Sequence, residues 1–135
     1  RMMKKYIVGV FIAGLAMGIV FSPKSYSEEL KTEPAMVTLI GTLSKASFAN
    51  NAYKLREQVY VLNLVTPIDV AGDDLGDPAK NVKRIQVVFL SNTIKPENFL
   101  NKELRITGSL FHAHTAHHFT DVLIQIKEIA FNRRK

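Results

Sequence analysis

Between Val37 and Phe131 apolar side chains fall at every second position in several separate runs. A chain patterned this way must turn one face of each run into a shared interior. Val37, Leu39 and Leu43 alternate with Thr38 and Thr42 in the first run, and Tyr60, Leu62 and Leu64 mark the second. Ile85, Val87 and Phe89 make the third, Leu104, Ile106 and Leu110 the fourth, and Val122, Ile124 and Ile126 the fifth, with Ile129 and Phe131 able to extend it. Pro67 kinks or ends the second strand, which Ile68 and Val70 can continue. Asn50-Asn51 is the expected turn of a polar stretch over 44–57, and 71–81 is a Gly- and Asp-rich loop. Pro96, Glu97, Phe99 and Leu100 fit one helical turn with proline in its first positions.

The order strand, strand, strand, short helix, strand, strand predicts an all-β fold. It is the layout of an OB-like, five-stranded, partly open barrel with the helix between strands three and four. Gly41 and Gly108, each in mid-strand, fit the bends that a small barrel needs. A β-sandwich can be built from the same strands.

The N-terminus sets the compartment. Lys4 and Lys5 precede an uncharged apolar run from Tyr6 to Phe21, and Ser22-Pro23 ends it. Ser25 and Ser27 then place small side chains at −3 and −1 before Glu28. Residues 1–27 are expected to be a signal peptide, because the run is short for a span of about 20 residues; an uncleaved anchor is the alternative. Residues 28–35 follow as a flexible leader, 36–131 as the barrel domain, and 132–135 as a basic tail. The mature protein is expected in the periplasm or secreted, with no membrane contact after cleavage.

The chain has no cysteine, so lipid attachment and disulfides are excluded and the core alone must hold the domain. Its net charge of +6, from 18 basic and 12 acidic residues, overstates the mature charge. Residues 1–27 carry four of the basic residues and no acid, which leaves 14 against 12, or +2. That charge and the export signal argue against nucleic acid, although Phe48, Tyr53, Arg56 and Tyr60 are the residues an OB-type binding face would use. Tyr60 alternates with Leu62 and Leu64, which assigns it to the core.

All four histidines fall within residues 112–118. If Thr115-Ala116 is the tip of a two-residue hairpin, His114 and His117 become cross-strand neighbours. His112 then shares their face, and His118 points away. Three imidazoles with an open position suit zinc or copper, which makes His112, His114 and His117 a candidate metal set. Against this, Ala116 is poor for the positive φ of a tight turn, and a longer loop would spread the ligands. Free of metal, His112, His114, His117 and His118 form a polar surface for a ligand or partner. Asp73, Asp74 and Asp77 lack calcium-loop spacing and mark a turn. No Cys, no Gly-x-Ser-x-Gly elbow and no evident Ser–His–acid set supports nucleophilic catalysis.

Residues 108–124, Gly-Ser-Leu-Phe-His-Ala-His-Thr-Ala-His-His-Phe-Thr-Asp-Val-Leu-Ile, resemble the signature of a domain-of-unknown-function family of small exported bacterial proteins. That signature is His-Ala-His-Thr-x-His-His followed by an apolar strand. A weaker resemblance reaches back to Val-Thr-Leu-x-Gly-Thr-Leu at residues 37–43. The resemblance implies Gly where this chain has Ala116, and it implies export but no activity. The expected function is a non-catalytic binding module with a His-rich loop, its partner an envelope protein or a glycan. The alternatives are a metal carrier or metal-dependent hydrolase, and an inhibitor or immunity-type protein.

Overall fold

The computed structural model describes residues 29–133, and these residues are all-β apart from one 3-10 turn. The strands are β1 (Glu29–Leu30), β2 (Val37–Asn50), β3 (Leu55–Val70), β4 (Ala79–Val88), β5 (Glu103–His112) and β6 (Val122–Phe131), with the 3-10 turn at Pro96–Phe99. Residues 1–27, read as the signal peptide, lie outside the described residues.

One sheet curls into a barrel. β2 pairs antiparallel with both β3 and β5, β5 with β6, and β3 with β4, while β4 and β6 run parallel and close the ring. This is OB-type connectivity, with the helical turn where the sequence put it. A single continuous sheet rules out the sandwich. The ring is complete; the β3–β4 ladder is interrupted, its pairing jumping from Asn63/Arg84 to Ile68/Val82 across Pro67. Proline has no N–H to give a ladder, so pairing lapses there.

Period-two packing fills the interior. Leu39, Leu43, Leu62, Val70, Ile85, Val87, Leu104, Ile106, Leu110, Val122, Ile124 and Ile126 form the core. Removing a side chain of this size from water contributes about 1.5–3 kcal/mol. Tyr60 packs on this core as expected, and its hydroxyl hydrogen-bonds the Glu97 carboxylate, which also pairs with Lys45 at 2.9 Å.

The strands run longer than the apolar periodicity alone indicates. β2 and β3 extend through the polar stretch to a turn at Asn50–Lys54, so Asn50 sits at the turn as expected but the hairpin is much taller. Backbone pairing costs nothing in side-chain polarity when both faces see water, and a pattern built on apolar residues misses it.

The segment read as a flexible leader is held from Glu29 onward. β1 pairs parallel with Asp69 and Val70 of β3, the Ala71 N–H donates to the Leu30 carbonyl (2.8 Å), and the Glu33 N–H donates to the Leu110 carbonyl (2.8 Å). Thr32 is buried and donates to Asp73 Oδ2 at 2.7 Å. At the other end Asn132, read as tail, is tied by its N–H to the Glu103 carbonyl and by its amide to the Glu103 carboxylate.

Candidate functional site

Among the described residues three apolar side chains are buried outside the barrel core. Val61, Leu123 and Phe111 have the opposite parity to the core residues of their strands, so they lie on the barrel's outer surface. Strand register lines them up: Val61 faces Gln86, Gln86 faces Leu123, and Leu123 faces Phe111. The row crosses β3, β4, β6 and β5, and all four residues are at most 9% exposed. The histidine loop, residues 113–121, folds back over this face, bonding to Gln86 and packing His114 and His118 on Phe111.

Gln86 is the tether. Its Nε2 donates to the His117 carbonyl (3.0 Å), its Oε1 accepts from the Phe119 N–H (2.8 Å), and its own N–H donates to Thr120 Oγ1 (2.9 Å). From the hairpin side, buried Asn50 donates to the Ala116 carbonyl (3.1 Å) and to Glu57 Oε1 (3.0 Å). Phe119 stacks on Phe48 with centroids 5.1 Å apart and planes 5° from parallel.

The four histidines do not share a face. β5 ends at His112 and β6 begins at Val122, so the connection is a long loop with a turn over Thr115–His118, closed by the His118 N–H to the Thr115 carbonyl (3.2 Å). A two-residue hairpin at Thr115-Ala116 would have aligned His112, His114 and His117; the longer loop separates them. Among the described residues no group of three His, Asp or Glu is placed to hold a metal ion.

His112 is buried, and its Nε2 donates to the Ala71 carbonyl (2.8 Å). Its ring packs so tightly on Gly76 that a Cβ there would lie 2.8 Å from the ring. The Asp73–Gly76 turn is therefore more than a solvated loop. Asp73 is joined to Thr32, caps the Leu75 N–H (2.8 Å), and holds its carboxyl below the ordinary range chiefly through the Thr32 hydroxyl. Leader, acidic turn and His112 make one structural knot.

His114 and His118 pack edge to face, 4.7 Å apart, and both sit against Phe111. His114 Nδ1–H donates to the His112 carbonyl (2.9 Å), which leaves its Nε2 as an acceptor. His118 does the reverse: its Nδ1 accepts the backbone N–H groups of His114 (3.0 Å) and Thr115 (3.2 Å). Burial, and then the electrostatic influence of the neighbouring His114 and His117 rings, hold the His118 pKa below its ordinary 6.5. The neutral ring is thus the folded form, and a proton on Nδ1 would meet two N–H donors. Because the folded pKa is depressed, this contribution is complete above about pH 6.5 and is lost as pH falls through the lowered value. We expect the protection of the His114 and Thr115 amides against exchange, each rate taken relative to the intrinsic rate at the same pH, to fall on acidification from pH 7 to 5, and a His118→Gln variant to lose that dependence. Protection that stays constant in the parent would refute the cap.

His117 is exposed and reaches the hairpin. Its Nδ1–H donates to the Glu57 carboxylate (2.9 and 3.1 Å), and its ring stacks on Tyr53 at 5.2 Å. The Glu57 pKa is lowered, first by Asn50 and then by His117. Loop and hairpin tip therefore form one rim. It presents Tyr53 and an imidazole whose Nε2 can accept a hydrogen bond from a hydroxyl or amide. Arg84 lies 5.7 Å over the Phe48 ring on the same side.

Of the OB-face residues named from sequence, Phe48 and Tyr53 are in this rim. Arg56 is engaged with Ser47 Oγ (3.0 Å) and its carbonyl (2.9 Å), and Tyr60 is with the core. Sequence reasoning missed Asn50 as a tether, Glu57, Arg84 and Gln86. Only Gln86 left a trace, as the polar member of an otherwise apolar run.

Residues 84–130 match a family described as a domain of unknown function (DUF4431). The matched stretch holds the second half of β4, all of β5, the histidine loop and β6 as far as Ala130. A search of curated proteins returned no match.

Proposed function

We propose that this chain is an exported, non-catalytic binding module that recognises an envelope protein or glycan through the rim formed by the hairpin tip and the histidine loop. The observation that carries the reading is the exposed Tyr53–His117 stack, braced by Glu57 and Asn50 and backed by the Gln86 tether. Recognition edges gain affinity when their side chains are ordered beforehand, because less freedom is lost on binding. An aromatic ring beside a polar ring nitrogen offers both contact area and a directed hydrogen bond. In OB-type barrels the loops in these two positions are the ones used for ligands. Export is supported by the Lys4-Lys5 start, the apolar run and the small residues at 25 and 27.

Of the four histidines, His117 is the direct contact, His114 and His118 shape the loop, and His112 belongs to the structural knot. The test is capture of envelope proteins and glycans by the immobilised full chain, compared with a Tyr53→Ala/His117→Ala double variant. Both side chains are exposed, so the variant is expected to melt within about 2 °C of the parent. A ligand held by the parent and lost by the variant supports the rim; a ligand held equally by both overturns it.

A further inference from the structure

Beside the rim, Lys83 and Arg84 of β4 line a surface cavity of about 430 Å³ together with Phe119, Thr120 and Asp121. Among the described residues neither cation has an ion-pair or hydrogen-bond partner, whereas Lys80 at the same cavity is paired with Glu29 (3.3 Å). Arg84 is nonetheless ordered. Its guanidinium lies over Phe48, which is locked face to face against Phe119, and Phe119 is held by Gln86. A guanidinium fixed by its face keeps its N–H donors at the edge, where they match a carboxylate or phosphate.

The rest of the lining narrows the ligand. Asp121 opposes an anion that fills the whole cavity, but its carboxylate accepts hydroxyl hydrogen bonds, and Thr120 adds a polar wall. Single-stranded nucleic acid needs successive free aromatic faces. Here Phe48 and Phe119 are stacked on each other, Arg84 lies over Phe48, and Tyr53, the exposed ring of the rim, is stacked on His117. Separate provision for an acid group, for hydroxyls and for one stacked ring is the recognition chemistry of an acidic sugar.

We propose that this cavity binds an acidic sugar, its carboxylate or phosphate on Arg84 and Lys83 and its hydroxyls on Asp121. The proposal rests on the rim being the binding edge and adds the class of ligand.

The experiment is calorimetric titration of the full chain with galacturonate hexamer, its methyl ester and glucose 6-phosphate, with a dT hexamer as competitor class. Binding of the uronate or of the sugar phosphate is expected, the better of the two showing which acid group is preferred. Arg84→Gln is expected to weaken it about tenfold or more, the scale of one charge-assisted hydrogen bond. Lys102→Gln, outside the cavity, is expected to leave it unchanged. Equal binding of the methyl ester, tighter binding of dT hexamer, no effect of Arg84→Gln, or no binding of either acidic sugar would each overturn the proposal. If Arg84 proves irrelevant while a ligand still depends on Tyr53 and His117, the acidic-sugar assignment fails and the rim stands. If binding depends on neither pair, both fall.

Discussion

Replacing Gly108 with alanine is expected to lower the thermal midpoint by more than about 10 °C, or to prevent folding. This follows from contact with backbone rather than from glycine's freedom of φ. A Cβ at Gly108 would lie 2.2 Å from the Gln125 carbonyl oxygen and 3.0 Å from its carbon. The neighbouring strand cannot swing away as a side chain would. Pairing changes step here, from Thr107/Glu128 to Gly108/Ile126, so β5 and β6 are pressed together where the barrel turns its corner. Relief means parting them at a bend that β2 also shares, through Val37 opposite Gly108. Overpacking of this kind costs about 3 kcal/mol, and a domain of this size loses about 4–8 °C per kcal/mol. A Cβ at Gly41 would run into the Asn63 carbonyl in the same way, which provides an independent second case. Circular dichroism melts of the two variants decide the matter: a Gly108→Ala protein that melts within 3 °C of the parent, about the shift of a 0.5 kcal/mol change, would show that the strands can separate freely.

The barrel was legible because its information is repeated. Five runs with one parity, two mid-strand glycines and Pro96 before a helical turn agree with one another, and tertiary packing had nothing to override. The site was less legible because it depends on distance across the fold. Glu57 lies 60 residues from His117 and Gln86 lies 31 from the same residue, and no local pattern joins them. The histidine loop itself misled through its density. Four imidazoles in a short segment suggest convergence, but loop length separated them: His112 went inward to Ala71, His118 turned to cap its own backbone, and His117 crossed to the hairpin. The leader's contacts were hidden for a similar reason. Its polar residues resemble a solvated linker, yet the Thr32 hydroxyl bonds to Asp73 and the Glu33 backbone N–H to the Leu110 carbonyl.

A Gln86→Leu variant tests whether the loop is a held lid or an independent appendage. Leucine keeps the volume and would suit a row already made of Val61, Leu123 and Phe111, so packing alone predicts little change. Hydrogen bonding predicts otherwise. The substitution leaves the His117 carbonyl and the Phe119 N–H without the partners they have at 3.0 and 2.8 Å. Orphaning each costs about 1–3 kcal/mol if the loop stays closed. The loop has a cheaper course, which is to lift and give both groups to water, because the barrel core does not depend on it. The expected result is therefore local: exchange at His118 and Phe119 rises by about a hundredfold, an opening cost lower by roughly 2.7 kcal/mol, while core amides at Leu62 and Ile106 slow or hold. Gln86→Glu should fall between parent and leucine, since a carboxylate still accepts from Phe119 but has no proton for the His117 carbonyl. Loss of the tether also frees Phe119 from Phe48 and withdraws His117 from Tyr53, so ligand binding at the rim should weaken with the loop's closure and not with global stability. If loop exchange in Gln86→Leu matches the parent, Asn50 and the Thr120 hydroxyl suffice to hold the lid, and the rim owes its order to the hairpin.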